Sequence, residues 1–148
     1  MTLPPLDSDR FQTDRGLRII VQVPAEEADR LRAAILATDA LQWGDYDRVS
    51  FESLPGSQHF RSLGTGRNAA TRDTVTVPCV ELSFYLDTDR GLPVLEAIYD
   101  AHPYEEPVVF VQACVRTRHI RGRDEDNPNR FWNRPAGDWV PAEHRSDG

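Results

Sequence analysis

Apolar and polar positions alternate along Leu17-Arg18-Ile19-Ile20-Val21-Gln22-Val23, with Leu17, Ile19, Val21 and Val23 on one side. A period of two predicts a strand. Pro24 then stands where a helix begins, and Glu26 and Glu27 fall in its first turn. Ala28, Leu31, Ala34 and Ile35 recur at helical spacing, which predicts an amphipathic helix over 25–38. Arg48 to Ser53 alternates again and predicts a second strand. Residues 55–78 are punctuated by Gly56, Gly64 and Gly66, with a short strand expected at His59-Phe60-Arg61. The clearest strand is Val80 to Leu86: Val80, Leu82, Phe84 and Leu86 face one way, and Glu81, Ser83 and Tyr85 the other. Asp87 or Asp89 is placed to cap a second helix with Leu92, Leu95, Ile98 and Tyr99 on its apolar stripe, ending near His102. Val108 to Arg118 reads as the last strand.

Half-polar strands imply an antiparallel sheet with helices on one face. The expected fold is α+β, a ferredoxin-like βαββαβ arrangement with an extra hairpin, whose open sheet face is often covered by another subunit. Residues 1–16 read as an extension, 17–118 as the folded domain and 119–148 as a polar tail. Phe131, Trp132 and Trp139 interrupt that tail. Disordered tails are usually poor in aromatics, so these three are expected to anchor it on a surface, against the alternative of a loose terminus.

The length of 148 residues suits one core with extensions. Mean hydropathy is −0.54, low for a chain that packs throughout. Acidic residues outnumber basic ones by 24 to 17, a net charge of −7. That balance repels phosphate backbones and argues against nucleic-acid partners. Every basic residue is arginine, so lysine Schiff-base chemistry is excluded. Cys79 and Cys114 stand alone in apolar strand-like surroundings and read as small buried hydrophobes. The N-terminal MTLPPLDSDRF lacks the basic and apolar regions of a signal peptide, and no stretch approaches a membrane span. A soluble, cytoplasmic protein is expected.

The segment Ala101-His102-Pro103-Tyr104-Glu105-Glu106-Pro107 stands out. Local physics accounts for part of it. His102 suits a helix C-terminus, Pro103 stops the helix, and Pro107 holds Glu106 extended before the strand. It does not account for His, Tyr and two Glu occurring together. This heptapeptide resembles the signature of the CutA-like domain found in YqfO-type proteins, the family related to the yeast NGG-interacting factor. Gly44-Asp45-Tyr46-Asp47-Arg48-Val49-Ser50-Phe51 resembles a second segment of that domain. The opening strand, the Pro24-Ala25-Glu26-Glu27 helix start and Gly64-Thr65-Gly66 add to the likeness, which covers about residues 17–118. Leu54 to Pro78 departs from the family pattern, and the tail after Arg121 has no counterpart. The resemblance implies a fold related to CutA and the PII signalling proteins, which are typically trimers. It also implies that the family's dinuclear metal site belongs to a different domain, so that chemistry is not carried over.

The leading reading is a non-enzymatic homotrimer that binds a small molecule or regulatory ligand between subunits. Its ligand-facing residues are expected to be His102, Tyr104, Glu105 and Glu106, joined by Tyr46, Asp47 and Ser50. Arg61, Arg67 and Arg72 are candidates for an anion contact, weighed against a solvated loop. A second reading is a divalent-metal site, with His102, Glu105 and Glu106 as ligands and His59 or His119 as a third partner, although no metal-ligand spacing supports it. A third makes the motif a trimer contact, Glu105 or Glu106 pairing with Arg116 or Arg118 of a neighbour. Catalysis is not expected: no nucleophile–base pair or cofactor fingerprint is present, and Gly64-Thr65-Gly66-Arg67 lacks the ending of a P-loop.

Overall fold

In the computed structural model, which describes residues 3–135 and 143, the chain divides into two compact units, Thr13–Arg116 and Met1–Gln12 with Thr117–Gly148. Trp139 lies outside the described residues. The elements run β1 (Phe11–Pro24), α1 (Ala28–Thr38), β2 (Phe51–Glu52), β3 (Gly56–Phe60), β4 (Val75–Leu86), α2 (Gly91–Ala101) and β5 (Val109–His119). Single 3-10 turns, Ala25–Glu27 and Thr88–Arg90, lead into the two helices. The five-stranded antiparallel sheet has the order β2-β4-β1-β5, and β3 pairs with β4 alongside β2. This is the ferredoxin-like α+β arrangement with an added hairpin.

The core follows from alternation. Ile19, Val21 and Val23 of β1 pair with Phe84, Leu82 and Val80 of β4, so their side chains share one face. That face packs on Ala28, Leu31 and Ile35 of α1 and Val94 and Ile98 of α2. The opposite face carries Gln22, Glu81 and Ser83. The Gln22 amide donates to Glu81 Oε2 (3.1 Å) and accepts from the Gln58 amide (2.9 Å).

Several expectations are corrected. β1 begins at Phe11 and β4 at Val75, each several residues earlier than expected. The added residues of β1 are mostly polar, whereas in β4 Val75, Val77 and Cys79 alternate with exposed Thr76 and Pro78 and pair with β3 from Gly56↔Cys79 to Phe60↔Val75. β2 keeps only Phe51 and Glu52 of the Arg48–Ser53 segment. Arg48 is left-handed (φ 57°), and its N–H and that of Val49 bond to Ala40 and Leu41 carbonyls instead of a strand. The α2 stripe is also rotated. Gly91, Val94 and Ile98 are buried, whereas Leu92 and Tyr99 are 70% and 57% exposed. Asp87 precedes the 3-10 turn, but its side chain makes no capping bond; its carbonyl accepts the Arg90 N–H at 2.9 Å. Tyr85 points away from the helices yet is buried, because Trp43 packs edge-on to it (6.1 Å between centroids) and the Arg116 guanidinium stacks on its ring at 3.9 Å. Arg116 is anchored in turn by Asp14 (3.1 Å) and the Gln42 carbonyl (2.9 Å). At Gly16 a Cβ would fall within 2.5 Å of the Tyr85 hydroxyl, so only glycine fits beneath that ring.

The terminal unit joins the two chain ends by bonds among its own residues. Arg10 Nε meets Asp124 at 2.8 Å, Arg130 reaches the same carboxylate at 3.2 Å, and the Ile120 N–H donates to the Arg10 carbonyl at 3.0 Å. The hydrogen bond from Arg10, with the charge of Arg130, holds the Asp124 carboxyl below its usual range. The Trp132 indole donates to the Glu125 carbonyl at 2.8 Å and packs edge-on against Phe131.

The rotated stripe makes a paired prediction. Ile98→Ala, which empties the interface between sheet and helices, is expected to cost about 2–5 kcal/mol in urea denaturation. Leu92→Ala is expected to stay within about 0.5 kcal/mol of the parent.

Candidate functional site

The 102–107 segment is fixed from both ends by one residue of β1. α2 closes with the His102 N–H donating to the Ile98 carbonyl at 2.8 Å, and Arg30 of α1 caps the Ala101 carbonyl at 2.9 Å. A cation at that end also suits the helix dipole. The chain then leaves the helix at His102, which is extended (φ −69°, ψ 137°) and buried, with Pro103 beyond it. His102 Nε2 lies 2.7 Å from the Gln22 carbonyl, and the Tyr104 N–H donates to Nδ1 at 3.0 Å. A carbonyl only accepts and a backbone N–H only donates, so the ring proton sits on Nε2. At the other end of the segment the Gln22 N–H donates to the Val108 carbonyl at 3.0 Å. Both backbone groups of Gln22 are therefore satisfied by the loop, His102 acting where β5 has not yet begun.

This clamp turns Tyr104 toward β3 and β4. Its ring lies 6.2 Å from Phe60 and 5.3 Å from His102, between centroids. Burial, with Cys79 and Glu26 nearby, pushes the Tyr104 phenol up. Burial and then Glu26 push the Cys79 thiol up as well. Cys79 is buried and Cys114 half-buried, and both thiols are free.

Glu105 reaches a different element. Its Oε1 accepts the backbone N–H of Arg67 at 2.9 Å. A Cβ on Gly66 would lie 2.7 Å from that oxygen, so the approach depends on glycine. The Arg67 loop is closed at its base: the Thr71 N–H donates to the Ser62 carbonyl (3.0 Å), and the Ser62 N–H to Thr71 Oγ1 (2.9 Å). Ser62 Oγ accepts the Gly64 N–H at 3.2 Å and donates to the Asn68 carbonyl at 3.3 Å. Arg61, Arg67 and Arg72 are exposed, and their guanidinium groups make no ion pair or side-chain hydrogen bond among the described residues.

The remaining candidates lie elsewhere. Tyr46 is exposed at the tip of a tight turn in which it bridges Trp43, with Asp47 exposed and Ser50 half-buried further along. Trp43 packs on Tyr85, whereas Tyr104 lies near Cys79. Those two β4 positions are six residues apart, about 20 Å at strand rise. Within one chain the Tyr46 turn and Tyr104 thus lie well apart along β4. Glu106 is exposed. His59 bonds Thr76 across the hairpin at 2.9 Å. Among the described residues, no group of three or more His, Cys, Asp and Glu side chains is placed to hold a metal ion. Gln22 and Phe60 were not anticipated. The isolated glutamine in Ile20-Val21-Gln22-Val23-Pro24 signals an open-face position, but the use of its backbone leaves no trace in the sequence.

No family model and no curated protein matches the chain. Solved structures do. A Bacillus cereus protein related to NIF3 superposes with a TM-score of 0.60 at 22% identity, covering 74% of this chain and 28% of that one. The Staphylococcus aureus protein SA1388 gives 0.51 at 19% identity, covering 75% and 26%. CutA1 from Oryza sativa gives 0.51 at 16%, covering 69% and 82%. The chain spans only 28% and 26% of the first two proteins. Likeness at these identities is likeness of fold, and the fold is CutA/PII-like. No helix among the described residues is long and apolar enough to cross a membrane.

The His102 clamp has a direct spectroscopic consequence. Long-range 1H–15N spectra are expected to show a single His102 tautomer with the proton on Nε2. His102→Ala is expected to lower stability by about 2 kcal/mol or more, since it strands a carbonyl and an N–H. Exchange between two His102 tautomers, or an unchanged denaturation midpoint for the variant, would contradict the clamp.

Proposed function

We propose that this protein is a non-enzymatic, homotrimeric CutA/PII-like module, related to the CutA-like domain of YqfO-type proteins, that binds a small regulatory ligand between subunits. The observation that carries this reading is the joining of the 102–107 segment to the glycine-bearing loop through Glu105 and the Arg67 N–H. There the motif meets a loop remote in sequence, one that lies in the Leu54–Pro78 stretch where the family pattern departs. Tyr104, Glu105 and Glu106 present ligand-facing groups, and His102 is the positioning residue beneath them.

Assembly is supported by the sheet face turned away from the helices. Phe51 and Phe110 stand there 69% and 50% exposed, and Ile20 is only half-buried. Exposed apolar surface beside a long edge strand is the usual mark of a covered interface. A subunit boundary also provides a way to bring Tyr46, Asp47 and Ser50 of one copy toward the motif of another, which one chain does not do. The metal reading is less well supported. Both His102 ring nitrogens are engaged with backbone, so a divalent ion ligated by His102, Glu105 and Glu106 would first have to break one of those bonds.

Native mass spectrometry of the freshly purified protein tests this. A trimer carrying extra mass of metabolite size is expected, and Phe110→Arg is expected to yield folded monomer. A monomeric parent protein would overturn the assembly, and extra mass matching metal ions alone would favour the divalent-cation alternative.

A further inference from the structure

The contact between Glu105 and the Arg67 loop has the form of an oxyanion already seated in a site. A carboxylate oxygen rests on a backbone N–H at a position that glycine keeps open, since a Cβ on Gly66 would stand 2.7 Å from it. The loop around it is built in advance by the Ser62–Thr71 closure and the two bonds of Ser62 Oγ. Residues 61–73 carry three arginines and one aspartate in a chain of net charge −7. Arg61, Arg67 and Arg72 leave their guanidinium groups without ion-pair partners among the described residues. One carboxylate, bonded through a backbone N–H, does not use that charge.

We propose that the 62–71 loop is a phosphate-binding loop, that its ligand is a phosphate-bearing small molecule, and that Glu105 is a built-in competitor occupying the oxyanion position until the ligand displaces it. A phosphate is favoured over a carboxylate on charge and geometry. It carries more charge than Glu105, and its several oxygens accept forked guanidinium donors together with the N–H. Glu105 is exposed and its carboxylate makes a single hydrogen bond among the described residues, so it can leave without unfolding the loop. The proposal rests on the reading above that the motif and this loop form one ligand-facing surface, and it adds the ligand class and a gate.

The probe is inorganic phosphate, titrated into the full chain while the Gly66 and Arg67 amides are followed by NMR. Saturable shifts are expected at both amides. Glu105→Ala is expected to tighten binding by about tenfold, and Arg61→Ala with Arg72→Ala in that background to weaken it by at least as much. The Ser62 and Thr71 amides report whether the loop stays closed; if Glu105→Ala opens it, Glu105→Gln, which keeps an acceptor without the charge, is expected to tighten binding instead. Absence of saturable shifts in both parent and variant would overturn the site. Equal affinities in the two would overturn the gate. Acetate binding as tightly as phosphate would overturn the ligand class. Native mass spectra of the same samples separate the two readings. A trimer unresponsive to phosphate defeats this inference alone, and a phosphate-binding monomer defeats only the trimer.

Discussion

Gln22 is the position on which the site depends. Its carbonyl takes the His102 imidazole and its N–H donates to Val108, so one residue of β1 sets both ends of the 102–107 loop. The side chain of the same residue joins Gln58 of β3 and Glu81 of β4 on the open face. Histidine suits the job because its two ring nitrogens lie on opposite edges, one donating and one accepting. A backbone acceptor below and a backbone donor above are thereby bridged by one buried ring. Tyr104 and Glu105 inherit their positions from that bridge.

The two faces of the sheet have different physics. The helix-side face is closed by Ile19, Val21, Val23, Val80, Leu82, Phe84 and Leu86 against α1 and α2, and its packing needs nothing further. The other face mixes an amide ladder with exposed Phe51 and Phe110. At one end of it lies the Tyr104–Phe60–Cys79 group, and at the other the Trp43–Tyr85–Arg116 stack. Arg116 is already engaged by Asp14, Gln42 and two aromatic rings, so its charge serves the stack and not a motif glutamate of the same chain.

Strand and helix order was legible because burial on one face enforces a period, and Ile19 to Val23 and Val80 to Leu86 obey it. Where pairing rests on backbone alone, the pattern fades. The first six residues of β1 are strand by hydrogen bonding, not by alternation, whereas Val75, Val77 and Cys79 extend the alternation of β4 across Pro78. The α2 stripe is ambiguous in sequence because its first turn contains both Leu92 and Val94, and only tertiary packing decides that Val94 is the buried one. Gly91 lets Leu17 of β1 come close, since a Cβ there would stand 2.7 Å from the tip of that side chain and push it aside. At the site, the motif could be singled out from residue types and from its resemblance. Its partners could not, because Gln22 lies 80 residues from His102 and Arg67 lies 38 from Glu105.

Those separations bear on the order in which the molecule comes together. Closing an 80-residue span costs chain entropy before any contact rewards it, so the His102–Gln22 bond is expected to form after the β1–β4 ladder and α2 are in place. The Tyr104–Glu105 surface is then set only once those elements are in place. A ligand held there would read the completed fold, and by binding only that state would draw the whole chain toward it.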